Sequence, residues 1–231
     1  VNFKINLFKY KHVVFRYFSK LDNLNVTLSK SDLSREDSAL DFFFPKNHMF
    51  KLSYLPPSFS KGFLCFCIGG QHFTKKIPVQ KIISICKKIQ YPIILIGGQE
   101  EKNNGDIIKS EVDKLIFNAC GKSLLDSATI IKTSKGVLSP DTGMMHIATA
   151  LNKKTITIWG GTTPELGFSS FSNFGTHNID ELVKENSEDI NLNRNIDIIQ
   201  RISCQPCSRF GRSKCPLGHH QCMENISENK V

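Results

Sequence analysis

The sequence lacks the features of membrane-spanning and secreted proteins. No window of its 231 residues approaches the roughly 18 uninterrupted apolar residues that a membrane-spanning helix needs. The segment Val1–Tyr17 has neither the apolar run nor the small-residue cleavage site of a signal peptide. Because the first residue is valine rather than methionine, we expect the natural N-terminus to be missing. The fractions of apolar (40%), charged (22%) and aromatic (10%) residues are those of a globular protein.

Two common nucleotide-binding motifs are also missing. The sequence contains neither the GxGxxG motif of dinucleotide-binding folds nor the GxxxxGK[ST] motif of P-loop proteins. Acidic residues are outnumbered, since 30 Lys and Arg against 21 Asp and Glu give a net charge of +9. This excess indicates an anionic ligand, an anionic membrane surface, nucleic acid, or simply a basic solvated surface. An anion site therefore has to be sought in other patterns.

The eight cysteines fall into two groups. Four lie inside apolar runs and are expected to be buried: Cys65, Cys67, Cys86 and Cys120. Four lie close together near the C-terminus: Cys204, Cys207, Cys215 and Cys222. This uneven use fits a reducing cytoplasm better than a secreted disulfide scaffold. The CxxC pair with two further cysteines could hold a structural zinc ion, and disulfides or unligated thiols are the alternatives.

Short apolar runs alternate with helical patterns after residue 62. The predicted strands are Phe63–Ile68, Ile93–Ile96, Leu115–Phe117, Gly136–Ser139 and Thr155–Trp159. The predicted helices are Pro78–Gln90, Ser123–Lys132 and one that starts at Thr142. This alternation predicts an α/β fold with a parallel sheet covered on both faces. In such sheets ligands bind at the carboxyl ends of the strands.

The first 60 residues have a different composition. They are rich in Lys, Phe and Asn, with a predicted helix at His12–Leu21 and a linker at Pro56-Pro57-Ser58. This segment is too short for a core of its own, so we expect residues 1–60 to be the end of another domain and residues 61–231 to form the main one. Two further stretches are expected to be exposed or frayed: Glu181–Asn195 and Ser227–Val231.

The most informative segment is Ser139–Leu151. Asp141 is a suitable N-cap, and Gly143 in the first turn leaves backbone N–H groups open to a ligand. Unpaired amides and the macrodipole attract phosphate to helix N-termini. In this interpretation the amides of Thr142 and Gly143 receive a diphosphate, Asp141 accepts from sugar hydroxyls, and His146 donates to a phosphate oxygen. An ordinary capped helix with a satisfied histidine is the alternative.

Two other turns are predicted at the same edge of the sheet. Lys75 follows the first strand and could reach a phosphate as a point charge, although lysine pairs such as Lys75-Lys76 are usually solvated. The turn after the second strand carries Glu100 and Glu101. A carboxylate there could hold ribose hydroxyls, as in dinucleotide folds, or could belong to an ordinary acidic turn.

The order and spacing of these segments from Phe63 to Met223 resemble glycosyltransferase family 9, the ADP-heptose:lipopolysaccharide heptosyltransferases. The matching segments are Lys75-x-x-Pro78, Ile96-Gly97-Gly98-x-Glu100, Asn118-x-Cys120-Gly121-Lys122-Ser123-Leu124, Asp141-Thr142-Gly143-x-x-His146-x-Ala148-x-Ala150-Leu151, Gly161-Thr162-Thr163-Pro164 and the cysteine-rich tail 204–222. Ile77 departs from the family pattern, which usually has tryptophan there.

The resemblance implies a GT-B architecture of two Rossmann-like domains, with residues 61–231 as the nucleotide-sugar donor domain and residues 1–60 as the remnant of the acceptor domain. It implies inverting transfer of a sugar, ADP-heptose being the expected donor, to a lipid-linked lipopolysaccharide core at the cytoplasmic face of the inner membrane. The resemblance also implies that the transfer needs no metal. The general base is expected in the missing N-terminal segment, so no catalytic residue is assigned.

The resemblance also implies roles for individual residues. Lys75 and His146 would assist the diphosphate together with the amides of Thr142 and Gly143, and Asp141 would touch the transferred sugar. Glu100 or Glu101 would bind the ribose, and Gly121 would belong to a donor-binding loop.

Two other functions remain open from the residues. The first is a basic, zinc-containing nucleic-acid-binding module, which the net charge and the cysteine tail suggest. Against it, the basic residues are spread along the chain and no nucleic-acid-reading motif occurs. The second is a different GT-B enzyme that acts on another sugar nucleotide.

Overall fold

The computed structural model describes residues 12–21, 24–25, 40–48, 54–112, 115–171, 176–178 and 195–231. The strands are β1 Leu64–Cys67, β2 Ile93–Ile96, β3 Ile116–Asn118, β4 Gly136–Pro140, β5 Thr155–Trp159, β6 Thr176–Asn178 and β7 Asn195–Ile199. The α-helices are α1 Val13–Phe18, α2 Val79–Lys88, α3 Lys102–Val112, α4 Leu124–Thr133, α5 Gly143–Ala150 and α6 Gln221–Glu224. Single 3-10 turns lie at Pro57–Phe59, Phe73–Lys75, Gln99–Glu101, Pro164–Leu166 and Glu228–Lys230.

The seven strands form one sheet in the order β3-β2-β1-β4-β5-β7-β6, and each neighbouring pair is parallel. The chain moves from β1 outward to β3 and then crosses back to place β4 against the other side of β1. The strand order therefore reverses between β1 and β4. In open α/β sheets a crevice forms at such a reversal, outside the carboxyl ends of the two strands.

Alternating side chains of the central strands fill two hydrophobic clusters. Phe66 of β1 lies in one cluster with Ile82 of α2 and Ile108 of α3. Cys65 of β1 lies in the other with Ile130 of α4. Since successive side chains of a strand point to opposite faces, the helices cover both sides of the sheet. The predicted Rossmann-like α/β fold is confirmed.

The four cysteines in apolar runs are buried, as predicted: Cys65, Cys67, Cys86 and Cys120. Burial raises the pKa of Cys67, Cys86 and Cys120 to about 12, so these three thiols stay protonated at neutral pH. Ile77, which stands where tryptophan was expected from the resemblance, is buried in the cluster under α2. None of the helices in the described ranges is long and apolar enough to cross a bilayer.

Two expectations about the second half of the chain were wrong. Asn195, predicted to be exposed, is buried and starts β7, because its side chain accepts a hydrogen bond of 3.0 Å from the Thr155 amide. The rest of that polar stretch lies outside the described residues. Ser227–Val231 does not fray, since Lys81 of α2 donates to Glu228 at 2.7 Å and to the Ile226 carbonyl at 2.9 Å.

Candidate functional site

An ion pair lies at the crevice between β1 and β4. Lys75, in the turn after β1, places its Nζ 2.7 Å from Oδ2 of Asp141, the residue that follows β4. Thr162, in the turn after β5, donates to the same oxygen at 2.7 Å. Asp141 is 4% exposed and the Lys75 side chain 16%. Three turns at the carboxyl edge thus converge on one carboxylate. The predicted parallel sheet places Lys75 and Asp141 at this same edge.

Asp141 is not the N-cap of α5, contrary to the prediction. The helix begins at Gly143, and Thr142 occupies the cap position without a side-chain cap bond. Lys75 and Thr162 hold the Asp141 carboxylate instead. A Cβ atom built on Gly143 would meet no heavy atom within 4 Å. Open space therefore lies beside Gly143. The first N–H groups of a helix attract anions, and in this turn the Met145 amide already donates to the Thr142 carbonyl at 3.1 Å.

His146 lies one turn into α5, beside this ion pair. Burial lowers the pKa of His146; Asp141 opposes the shift, and His12 and Lys75 add to it. The imidazole is therefore neutral at neutral pH, and a neutral imidazole can donate through one ring N–H.

His12, the N-cap of α1, lies close enough to His146 to help lower the pKa of His146, and no sequence pattern pointed to it. Its Nδ1 accepts from the Val14 amide at 3.2 Å, so its Nε2 donates to the Ser169 carbonyl at 2.9 Å. Helix α1, predicted to be the end of an N-terminal domain, thus places a side chain close to the candidate site.

A cleft of about 910 Å³ adjoins the first turn of α5. Its walls are the turns after β1, β2 and β4 and the start of α4. The lining residues are Gly69, Gly70, Gln71, Ile96, Gly97, Gly98, Gln99, Glu100, Glu101, Lys122, Leu124, Ser127, Thr142, Gly143, Met144 and Ile147. Thr142 and Gly143 connect the cleft to the ion pair. The volume is within the range of small-molecule sites.

The two glutamates predicted for ribose binding have different surroundings. Glu101 is buried, accepts from Lys76 Nζ at 2.7 Å and accepts from the Gly98 amide at 3.0 Å. These bonds stabilise the turn after β2. Glu100 is exposed at the edge of the cleft. Lys76, rather than Lys75, therefore fixes this wall of the cleft.

Gly121 shapes the next turn and is not itself among the residues lining the cleft. Its φ of +87° is in the left-handed region, and an added Cβ would lie 2.5 Å from Oε1 of Gln99. Its amide donates to the Gly97 carbonyl at 3.0 Å. Glycine is therefore needed for the turn, and Lys122 is the residue of this loop that reaches the cleft.

The four cysteines near the C-terminus line a separate cavity of about 330 Å³, together with Thr74, Gly161, Arg212 and His220. Burial raises the pKa of the Cys215 thiol, but backbone N–H groups of residues 217–220 outweigh this and lower it overall. Within the described ranges no group of three or more His, Cys, Asp or Glu side chains is arranged to hold a metal ion. Zinc binding by Cys204, Cys207, Cys215 and Cys222 stays a prediction from their spacing.

Comparisons with known proteins converge on one family. The family model described as glycosyltransferase family 9 (heptosyltransferase) matches residues 1–174. Lipopolysaccharide heptosyltransferase 2 of Escherichia coli K12 is 28% identical over 109 residues, which are 43% of this chain and 31% of that protein. Lipooligosaccharide heptosyltransferase 2 of Haemophilus influenzae is 31% identical over 80 residues, 32% of this chain and 23% of that protein. The matches thus span a third or less of these curated relatives.

Two solved structures share the fold. A glycosyltransferase family 9 protein from Veillonella parvula superposes with a TM-score of 0.65 and 15% identity, covering 98% of this chain and 59% of that one. The E. coli ADP-heptose LPS heptosyltransferase II gives a TM-score of 0.51 and 20% identity, covering 74% of this chain and 44% of that one. The cysteine-rich tail lies beyond the family match.

Proposed function

We propose, from the premise that this chain belongs to glycosyltransferase family 9, that its crevice binds the diphosphate of a nucleotide-sugar donor. The observation that carries the proposal is the Lys75–Asp141 pair beside the uncapped start of α5, at the reversal of strand order. The ammonium group and the helix amides are two kinds of hydrogen-bond donor. Both kinds bind phosphate groups and would stabilise a leaving diphosphate.

The chemistry follows from charge development. During transfer the sugar acquires oxocarbenium character while negative charge grows on the departing diphosphate. Preorganised donors aimed at that charge lower the barrier. Lys75, whose ammonium group pairs with Asp141, would turn that group to the diphosphate, and neutral His146 would donate one N–H. Asp141 would then accept from hydroxyls of the transferred sugar.

The cleft beside α5 would hold the nucleoside. Exposed Glu100 is the better placed carboxylate for ribose hydroxyls, because Glu101 already accepts from Lys76 and Gly98. We propose ADP-heptose as the donor, which the name of the E. coli structural neighbour supports. The acceptor would be a lipid-linked lipopolysaccharide core, reached from the cytoplasmic face of the inner membrane. The general base that takes the acceptor's proton would lie in an N-terminal acceptor domain.

Calorimetric titration of the purified chain with nucleotides tests the proposal. We expect ADP to bind more tightly than AMP, and UDP and GDP to bind more weakly than ADP. Replacing Lys75 by methionine should weaken ADP binding by about 10- to 100-fold, the value of a charge-assisted hydrogen bond. The matched control is Lys87→Met, which removes an equal charge from the exposed end of α2.

A second variant separates the ligand effect from folding. Lys75→Met leaves the Asp141 carboxylate buried without its ammonium partner, which would destabilise the chain. The double variant Lys75→Met/Asp141→Asn removes that charge and should fold stably while still binding ADP poorly. Absence of affinity for every nucleoside diphosphate would reject the proposed function. Salt-dependent binding of DNA or RNA in its place would favour the nucleic-acid alternative.

A further inference from the structure

Thr74, the residue before Lys75, is held by two distant parts of the chain. It is 1% exposed. Its Oγ1 accepts from the Arg212 amide at 2.8 Å, and its own amide donates to the Arg212 carbonyl at 3.2 Å. Its carbonyl accepts from the Gly161 amide at 2.7 Å. Both backbone groups and the hydroxyl of Thr74 are thus engaged by segments that follow β5 and β7.

The cysteine-rich segment closes over this residue. The Cys207 amide donates to the Gly161 carbonyl at 3.0 Å. A Cβ atom on Gly161 would lie 2.7 Å from the Thr74 Cβ and 2.8 Å from the Cys207 Sγ, so these three residues are in close contact. The ring of His220 packs against that of Phe73, with 4.7 Å between the ring centroids.

These contacts fix the backbone from which Lys75 extends. A lysine side chain has four rotatable bonds, so the position of its ammonium is defined only if the backbone and the far end are both held. Asp141 holds the far end at 2.7 Å. Within the Phe73–Lys75 turn, Thr74 is the residue that is hydrogen-bonded to the backbones of Gly161 and Arg212, which holds the turn in place.

We propose that Thr74 is a positioning residue for Lys75, and that the segment Cys207–His220 acts through it as a clamp. A single substitution can remove the Thr74 hydroxyl while leaving the shape of the side chain almost unchanged. Valine has nearly the same shape but cannot accept from the Arg212 amide, whereas serine can. The consequence for donor affinity rests on the proposed function; the consequence for the placement of Lys75 does not.

The first experiment measures the placement of Lys75 without any nucleotide. Lysine acylation rates are followed by mass spectrometry in the wild type and in Thr74→Val, Thr74→Ser and Thr155→Val. Thr155 is the matched control because it is equally buried, its hydroxyl donates to Lys153, and it begins β5 at the opposite edge of the sheet. We expect Thr74→Val alone to raise the Lys75 rate by about threefold or more, which corresponds to the loss of one net hydrogen bond.

Exposed Lys87 provides the internal reference in every sample. An unchanged Lys75 rate in Thr74→Val would overturn the proposal, and so would an equal rise in Thr155→Val. Thr74→Ser should keep the wild-type rate; if it behaves like the valine variant, packing rather than the hydroxyl holds the turn.

The second experiment compares ADP with adenosine by calorimetry. Thr74→Val should weaken ADP binding by about three- to tenfold and leave adenosine binding unchanged, because Lys75 acts on the diphosphate. In a Lys75→Met background the same change should have no further effect. Additive effects, or an equal loss for adenosine, would contradict a role through Lys75. If the wild type binds no ADP, the proposed function fails, and the acylation rates still decide the positioning role.

Discussion

Asp197 of β7 offers a prediction in which the protein's only tryptophan is the reporter. Its carboxylate is 4% exposed and accepts from Trp159 Nε1 at 2.8 Å. Burial raises the pKa of Asp197 from 3.8 to about 7; the Trp159 bond opposes this, and Glu165 and Asp141 add to it. The folded chain therefore keeps a proton on Asp197 in a pH range where the unfolded chain has lost it.

The direction of the pH effect follows from linkage. The stabilisation that this proton gives is complete below about pH 3.8 and is lost as the pH rises through about 7. At about 1.36 kcal/mol per pH unit, the loss has an upper limit of roughly 4 kcal/mol. Asp197→Asn keeps an oxygen for Trp159 but cannot ionise. Relative to wild type, its free energy of unfolding should therefore increase by about 3 kcal/mol between pH 4.5 and pH 8.

The assay is urea unfolding at a series of pH values, followed by circular dichroism. Other titrating groups are common to both proteins and cancel in the difference. Tryptophan emission gives a second measurement: in the folded wild type it should titrate near pH 7, and in Asp197→Asn it should not. A constant stability difference from pH 4.5 to 8, with wild-type emission that does not titrate, would show that Asp197 is ionised throughout and refute the reasoning.

Further substitutions separate packing from ligand binding. Gly160→Ala should lower the free energy of unfolding by about 1–3 kcal/mol, because its Cβ would lie 2.5 Å from the Thr74 carbonyl oxygen. Gly143→Ala, which has open space around its Cβ, should leave stability in urea unchanged and weaken ADP binding. A stable Gly160→Ala variant would contradict the close approach. Lys81→Met should cost about 1 kcal/mol and speed amide exchange around Glu228; unchanged exchange there would show that the bond contributes nothing.

The central strands could be predicted because each is a continuous apolar run, as expected for strands buried on both faces. Strand β7 could not be predicted, since it begins with Asn195 and Asp197 interrupts its apolar residues. Both side chains are buried with partners that lie 40 and 38 residues away, the Thr155 amide and the Trp159 indole. Tertiary hydrogen bonds thus make a strand out of a sequence whose local pattern is polar.

The candidate site was predictable to a similar extent. Parallel topology alone brings Lys75 and Asp141 to one edge, so their convergence could be expected. The carboxylate partners of Lys75 and Lys76 could not be predicted, because they depend on side-chain positions that only the folded chain defines. Thr162 stood in a recognised motif without a role, and Thr74 began the segment of the lysine pair without a role of its own. His12 belonged to no binding motif.

The clamp on Thr74 has a consequence for how the chain is made. Thr74 and its partner Arg212 are 138 residues apart. At roughly 5–20 residues per second, a ribosome needs about 7 to 28 s to synthesise the intervening chain. During that time β1 and its turn can exist in the nascent chain, but Arg212, Cys207 and His220 are not yet there to secure Lys75. The crevice is therefore completed late in synthesis, even though the turns after β1 and β2, which form two of its walls, emerge early.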